Sequence, residues 1–185
     1  RKKKKNWMSL LGIINILLTG GLALMHLEGI WFAVKEAVFP LLLGAAVCAS
    51  AFSKKPFLKT VVFQPQALNV DNILNALPAD QGPHKLEEHF RFSTLLFSGS
   101  FVISSALNFI LAYQIFHDIP LDILEPERSV ILNEQIAKMT SLSLVVIVLP
   151  LMLVSALVMW YLLNGIKKLT SLDWAQILPQ ENKSV

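Results

Sequence analysis

Hydrophobic and polar positions fall in long blocks along this chain. Apolar runs lie at about 8–27, 30–52, 93–116 and 140–163, and charged or polar segments separate them. Each run is close to the ~20 apolar residues that cross a ~30 Å hydrocarbon core. The pattern predicts an all-α, polytopic membrane protein, a helical bundle with four transmembrane helices. At 185 residues the chain suits one membrane domain over 1–185, with a loop at 53–92 and an opposite one at 117–138. No room is left for a separate soluble catalytic domain.

The 53–92 segment has a helical period of its own. Val70, Ile73, Leu74 and Leu77 recur at helix spacing, with Asn and Asp residues on the other face. This predicts a short amphipathic helix over 65–77, lying on the cytoplasmic interface or capping the bundle, with a lysine-free polar face that disfavours the membrane surface. Pro78 to Pro83 breaks the chain, and a second short helix is expected to run from there into the third apolar run. Leu172, Trp174, Ile177 and Leu178 repeat the idea weakly in the tail. Within the runs, Gly44 and Cys48, Ala45 and Ala49, and Ser100 and Ser104 are four apart, with Gly99 beside the last pair. Small residues at that spacing let helices approach closely in lipid. Pro40 and Pro150 each lack a backbone N–H inside a helix and are expected to kink it.

Charge sets the orientation. The amino-terminal arm, the 53–92 segment and the tail hold 13 of the 16 basic residues. The opposite loops hold only Arg128 and Lys138, and Lys35 lies inside a run. The positive-inside rule then puts the arm, the long loop and the tail in the cytoplasm. The segment with Asp118, Asp122, Glu125, Glu127 and Glu134 is external. The formal charge of +3 is therefore spread across a membrane and is not a nucleic-acid signal. The expected partners are membrane lipids, with anionic headgroups at Lys2–Lys5 and Lys167–Lys168 worth ~1 kcal/mol each, and other membrane subunits or a second copy. Trp7 anchors the basic arm at the interface. The expected location is a bacterial inner (plasma) membrane. The chain opens on Arg1 without an initiator Met or a signal-peptide pattern, so its start is expected to be internal to a longer protein, with more helices upstream, or a processed or tag-trimmed end.

Candidate chemistry is sparse. Lys35-Glu36 sits between Trp31-Phe-Ala-Val34 and Ala37-Val-Phe-Pro-Leu41. Ionisable residues in membrane helices are costly and mark possible sites. Adjacent helical residues point ~100° apart, so each is expected to seek its own partner. Glu36 would turn inward toward Asn108 or the Thr140–Ser143 end of the fourth run. Lys35 would snorkel outward, four residues from a cation–π partner in Trp31. Lys35, Glu36, Asn108, Thr140 and Ser143 thus form a candidate polar intramembrane site, with Ser141 and His26 at similar depth. The same residues read as ordinary interhelical hydrogen bonding would carry no ligand. His84 and His89 lack a third zinc ligand, Glu87-Glu88 reads as a solvated helix face, and Asp122, Glu125 and Glu127 lack a calcium-loop pattern. No GxSxG, HExxH, P-loop or GxGxxG occurs, so no enzyme and no cofactor is expected. The one cysteine, Cys48, reads as a small packing residue.

Several stretches carry a family likeness. They are Leu17-Leu-Thr-Gly-Gly-Leu22, Trp31 to Ala37 with Pro40 and Gly44, Gly99-Ser-Phe101 with Asn108-Phe109, Met139-Thr140 with Leu149-Pro150, and Trp160 through Gly165 to Thr170. In these the chain resembles the intracellular septation protein A-like family of bacterial inner-membrane proteins. The resemblance implies a role in the cell envelope and more hydrophobic segments upstream. It supplies no mechanism or site residues. Two functions follow as expectations: a non-enzymatic scaffold or accessory subunit of an envelope complex, or a small transporter or ion- or lipid-handling protein with an outer-leaflet polar site.

Overall fold

The computed structural model describes residues 29–179. Among them every regular element is helical. In chain order they are α1 (Ile30–Ala51), α2 (Phe57–Val62), α3 (Val70–Ala76), α4 (Gly82–Ile115), α5 (Glu127–Ser143), a π-helical turn (Leu144–Val148), α6 (Leu149–Thr170) and α7 (Trp174–Ile177). Three helical stretches are long and apolar enough to cross a membrane: Ile30–Ala51, Gly82–Ile115 and Glu127–Thr170. The first apolar run, 8–27, lies outside the described residues.

Length shows which helices exceed a membrane span. The 22 residues of α1 measure about 33 Å at ~1.5 Å per residue, a match to the ~30 Å core. The 34 residues of α4 measure about 51 Å, so its polar start, 82–92, projects past its apolar run. The 44-residue stretch 127–170 is longer again, and its polar start, 127–138, projects likewise. Here the structure differs from the sequence reading. The 117–138 segment is helical from Glu127, and 140–163 is the middle of a much longer rod. Helix propensity continues through Arg128 to Lys138 because nothing breaks it; the apolar run marks only the part that suits lipid.

The chain divides into two compact units, Arg1–Leu42 with Val102–Leu151 and Leu43–Phe101 with Met152–Val185. In the first, Phe32 and Ala33 of α1 pack with Leu111, Ala112 and Ile115 of α4, Phe116 beyond it, and Met139 and Ile147. Phe32 and Phe116 stack at 4.8 Å. Ser105 Oγ donates to the Ala37 carbonyl at 2.7 Å, a side-chain tie between α4 and α1. Gly29 enters α1 at φ +56, a left-handed conformation, with Asp118 where a Cβ would stand. Arg128, counted from sequence only as a loop charge, is 7% exposed. Its Nη1 donates to the carbonyls of Ile119 and Pro120 and pins the 117–126 segment to the start of α5.

In the second unit, Leu58 and Val62 of α2, Leu68, Ile73 of α3, Leu86 and Phe90 of α4, Val158, Leu162 and Ile166 of α6, and Ile177 of α7 form one core. The 53–92 segment therefore carries more structure than the one helix expected over 65–77. Helix α3 is shorter than that, because Asn69 caps it through its side-chain oxygen to the Asn72 N–H. Helix α2, with Leu58 and Val62 buried, gave too short a pattern to read. The expected helix after Pro78–Pro83 is the first part of α4. The weak tail pattern is α7, held by a capping box between Asp173 and Gln176. His89 fills a notch at Gly165: its Nε2 lies 3.0 Å from the Leu162 carbonyl, and its ring centroid 5.1 Å from that of Tyr161.

An ion pair ties α2 to the projecting start of α4. Lys59 Nζ donates to Glu87 Oε2 at 2.5 Å, and Arg91 approaches the other oxygen at 3.6 Å. Glu87-Glu88 is thus only in part the solvated face read from sequence. The Lys59 hydrogen bond, helped by the charges of Lys59 and Arg91, holds the Glu87 carboxyl below its usual value near 4.5. A depressed carboxylate stabilises the fold in full above that usual value, and the contribution is lost as pH falls through the lower, folded-state value. Thermal midpoints measured from pH 7 down to pH 3 should therefore separate wild type from Glu87→Gln at neutral pH, and the gap should close in acid. A constant gap would show that the pair contributes no pH-linked stability.

Candidate functional site

The first unit contains a cavity of about 170 Å³. All five residues of the candidate polar site line it: Lys35, Glu36, Asn108, Thr140 and Ser143, together with Phe32, Phe116, Ile136 and Met139. Three elements supply them. Phe32, Lys35 and Glu36 occupy one side of α1, Asn108 lies one turn before Leu111 on α4, and Ile136, Met139, Thr140 and Ser143 form an i, i+3, i+4, i+7 stripe on α5. That stripe was legible as helix spacing once 127–143 is helical. The apolar half of the wall, Phe32, Phe116, Ile136 and Met139, was not singled out from sequence. Ser141 faces away and donates to the Ala137 carbonyl; His26 lies outside the described residues.

The internal bonding of the site corrects four expectations. Lys35 and Glu36 are each other's partners: Nζ stands 2.6 Å from Oε1. The ~100° between adjacent Cβ directions is bridged because a lysine stem has four rotatable carbons and can curl back to its neighbour. The lysine is also the more buried of the two, with 11% of its side chain exposed against 30% for Glu36, so it does not snorkel outward. Its ammonium lies 5.6 Å over the ring of Phe32, not of Trp31, which is exposed. Asn108 does not reach Glu36; its amide donates to the Ser104 carbonyl at 2.8 Å and to Ser104 Oγ at 3.3 Å.

The hydroxyls behave alike. Thr140 Oγ1 donates to the Ile136 carbonyl at 2.9 Å and Ser143 Oγ to the Thr140 carbonyl at 2.8 Å. Each spends its hydrogen on its own helix and keeps oxygen lone pairs to offer. Two backbone irregularities flank the cavity residues. Pro40 has no N–H to give the Glu36 carbonyl four residues before it. The π-helical turn starts directly after Ser143, and Leu149 N–H bonds back five residues to the Leu144 carbonyl. Pro150 follows, with no N–H for the Val146 carbonyl.

The cavity's size limits what it can take. Drug-sized ligands occupy ~300–1,000 Å³, and a water's share of liquid is ~30 Å³. A volume of about 170 Å³ suits a few waters, a hydrated ion or a very small solute. Among the described residues no three His, Cys, Asp or Glu side chains gather as a metal cluster would. Compared with family models, with curated proteins and with solved structures, the chain matches none of them.

Proposed function

We propose that this chain is a non-enzymatic, multi-pass protein of a bacterial inner membrane that handles a small ion or solute through the Lys35–Glu36 cavity. The observation that carries this reading is the convergence, on one small cavity, of the carboxylate–ammonium pair with Asn108, Thr140 and Ser143. Polar groups that served only to join helices would be paired across helices; these bond within their own helix or to a neighbour and leave oxygens at the wall.

Orientation belongs to the same proposal. The described part of the second unit holds Lys54, Lys55, Lys59, Lys85, Arg91, Lys167 and Lys168, and that of the first holds Lys35, Arg128 and Lys138. The positive-inside rule puts the first of these sets in the cytoplasm. Lys54, Lys55 and Lys168 are exposed and suit anionic headgroups, while Lys167 is engaged by Asp173 at 3.6 Å and by the Trp174 ring at 5.4 Å. The likeness to septation protein A-like sequences fits an envelope setting.

Cysteine labelling in a Cys48→Ala background tests both parts. A small charged thiol reagent added outside intact cells should modify Ser143→Cys and Thr140→Cys, spare Leu149→Cys, and reach a cysteine at 78–84 only after permeabilisation. Protection of positions 140 and 143 would refute a wet, reachable cavity. A scaffold or accessory-subunit role would then be the better reading. It is favoured by the rod at 144–160, which leaves Leu144, Val145, Leu149, Met152, Leu153, Leu157 and Trp160 exposed for lipid or other subunits.

A further inference from the structure

The chemistry of the cavity wall narrows the ligand. Glu36 supplies an acceptor-only carboxylate. Thr140, Ser143 and Asn108 have their hydrogens committed to their own helices and retain oxygens. Pro40 deprives the Glu36 carbonyl of its helical donor, which adds a backbone acceptor at the same residue. Against these oxygens the one charged donor among the described lining residues is the Lys35 ammonium, and it rests on Glu36 at 2.6 Å. The site is thus built for a positive charge, and the protein's own lysine occupies it.

Resting on the reading of this cavity as the working centre, we propose that it takes a small monovalent cation, an alkali ion or ammonium, in exchange for the Lys35 ammonium. Charge balance favours exchange over addition. Among the described residues the wall carries one carboxylate and one ammonium, so a cation added beside both leaves an unpaired charge where apolar walls raise its cost. If the lysine swings away as the cation enters, the site stays neutral, and a long flexible stem allows that swing. The external acids of 118–134 are complementary to the displaced ammonium. Divalent ions fit poorly: calcium takes six to eight oxygens, commonly with several carboxylates, and magnesium near-ideal octahedral geometry, whereas the described residues of this wall supply one carboxylate. Anions meet Glu36 beside the lysine they would need.

The test is thermal unfolding of the purified full chain in detergent, titrated with NaCl, KCl or NH4Cl against choline chloride at constant ionic strength. A cation that binds the folded state raises the midpoint saturably. Wild type should show that rise with at least one of the three salts, and their order separates alkali ion from ammonium. Glu36→Gln should abolish it. Thr140→Val should weaken it about three- to tenfold, the loss of one oxygen ligand. Lys35→Met should tighten binding about tenfold or more, because the tethered competitor is gone. A structural lysine would give no such gain. No salt-specific rise in wild type, an unchanged or weaker affinity in Lys35→Met, or tighter binding of CaCl2 or MgCl2 would overturn the proposal. If Lys35→Met does not fold, wild type against Glu36→Gln and Thr140→Val decides it. Labelling at Ser143→Cys without any salt response removes the cation while the cavity reading stands; protection at that position removes both.

Discussion

Gly165→Ala should lower stability by about 1–3 kcal/mol, the range for losing a buried polar contact and disturbing packing, and His89→Ala should remove most of that penalty. A methyl at Gly165 would stand 2.1 Å from both Cε1 and Nε2 of His89. The atoms in the way are the far end of a side chain with two torsions, so the imidazole can leave while the helices stay. Leaving forfeits the 3.0 Å contact with the Leu162 carbonyl and the packing on Tyr161. The two substitutions share one contact, so their effects should not add; a coupling of about 1 kcal/mol or more is expected. Thermal midpoints of wild type, both single variants and the double variant in one detergent measure it. Additive losses would mean that the notch does not seat the ring.

A comparable loss, with no side chain free to yield, is expected at Gly44. Its missing Cβ would lie 2.7 Å from Phe101 Cβ and 3.4 Å from the Ser98 carbonyl oxygen. A Cβ cannot rotate out of the way, so any side chain here pushes α1 off α4. Gly44→Ala should cost about 1–3 kcal/mol by overpacking, and Gly44→Leu should prevent the folded protein from accumulating. Gly99 is the control: nothing stands within 4 Å of its added Cβ, so Gly99→Ala should be neutral or gain up to about 1 kcal/mol from helix propensity. Yield and thermal midpoint of the three variants settle the matter. Equal behaviour of Gly44→Ala and Gly99→Ala would remove the close approach.

These two glycines show how far sequence reading reaches. Gly44 was legible as one of several small residues in a membrane run, but nothing in the chain distinguishes it from Gly99. What distinguishes them is the facing helix, a tertiary fact. The same limit applies to the site. Cost in an apolar run drew attention to Lys35 and Glu36, and depth along each helix drew in Asn108, Thr140 and Ser143; one cavity gathers all five. Their bonding was misread because Cβ directions say little about a long stem: Lys35 curls to its own neighbour. The long runs gave α1, the apolar part of α4 and the middle of the 127–170 stretch directly. The polar start of α5, 127–138, was read as a loop because hydropathy reports lipid, and helices do not stop where lipid does. Helix α2 is one and a half turns long, too short for any period to register.

The seat of Ile177 has a consequence for the order in which the protein matures. Ile177 is wholly buried in the core with Leu58, Leu68 and Ile73, its carbonyl accepts from Asn69 N–H at 2.8 Å, and Asn72 reaches the neighbouring Gln176 carbonyl. The segment around α2 and α3 is made about a hundred residues before the residue that completes it. At ~5–20 residues per second, that segment waits on the order of 5–20 s beside the ribosome with an apolar face uncovered. Throughout that interval the side of the core that α7 covers is open to whatever binds or cleaves exposed apolar chain.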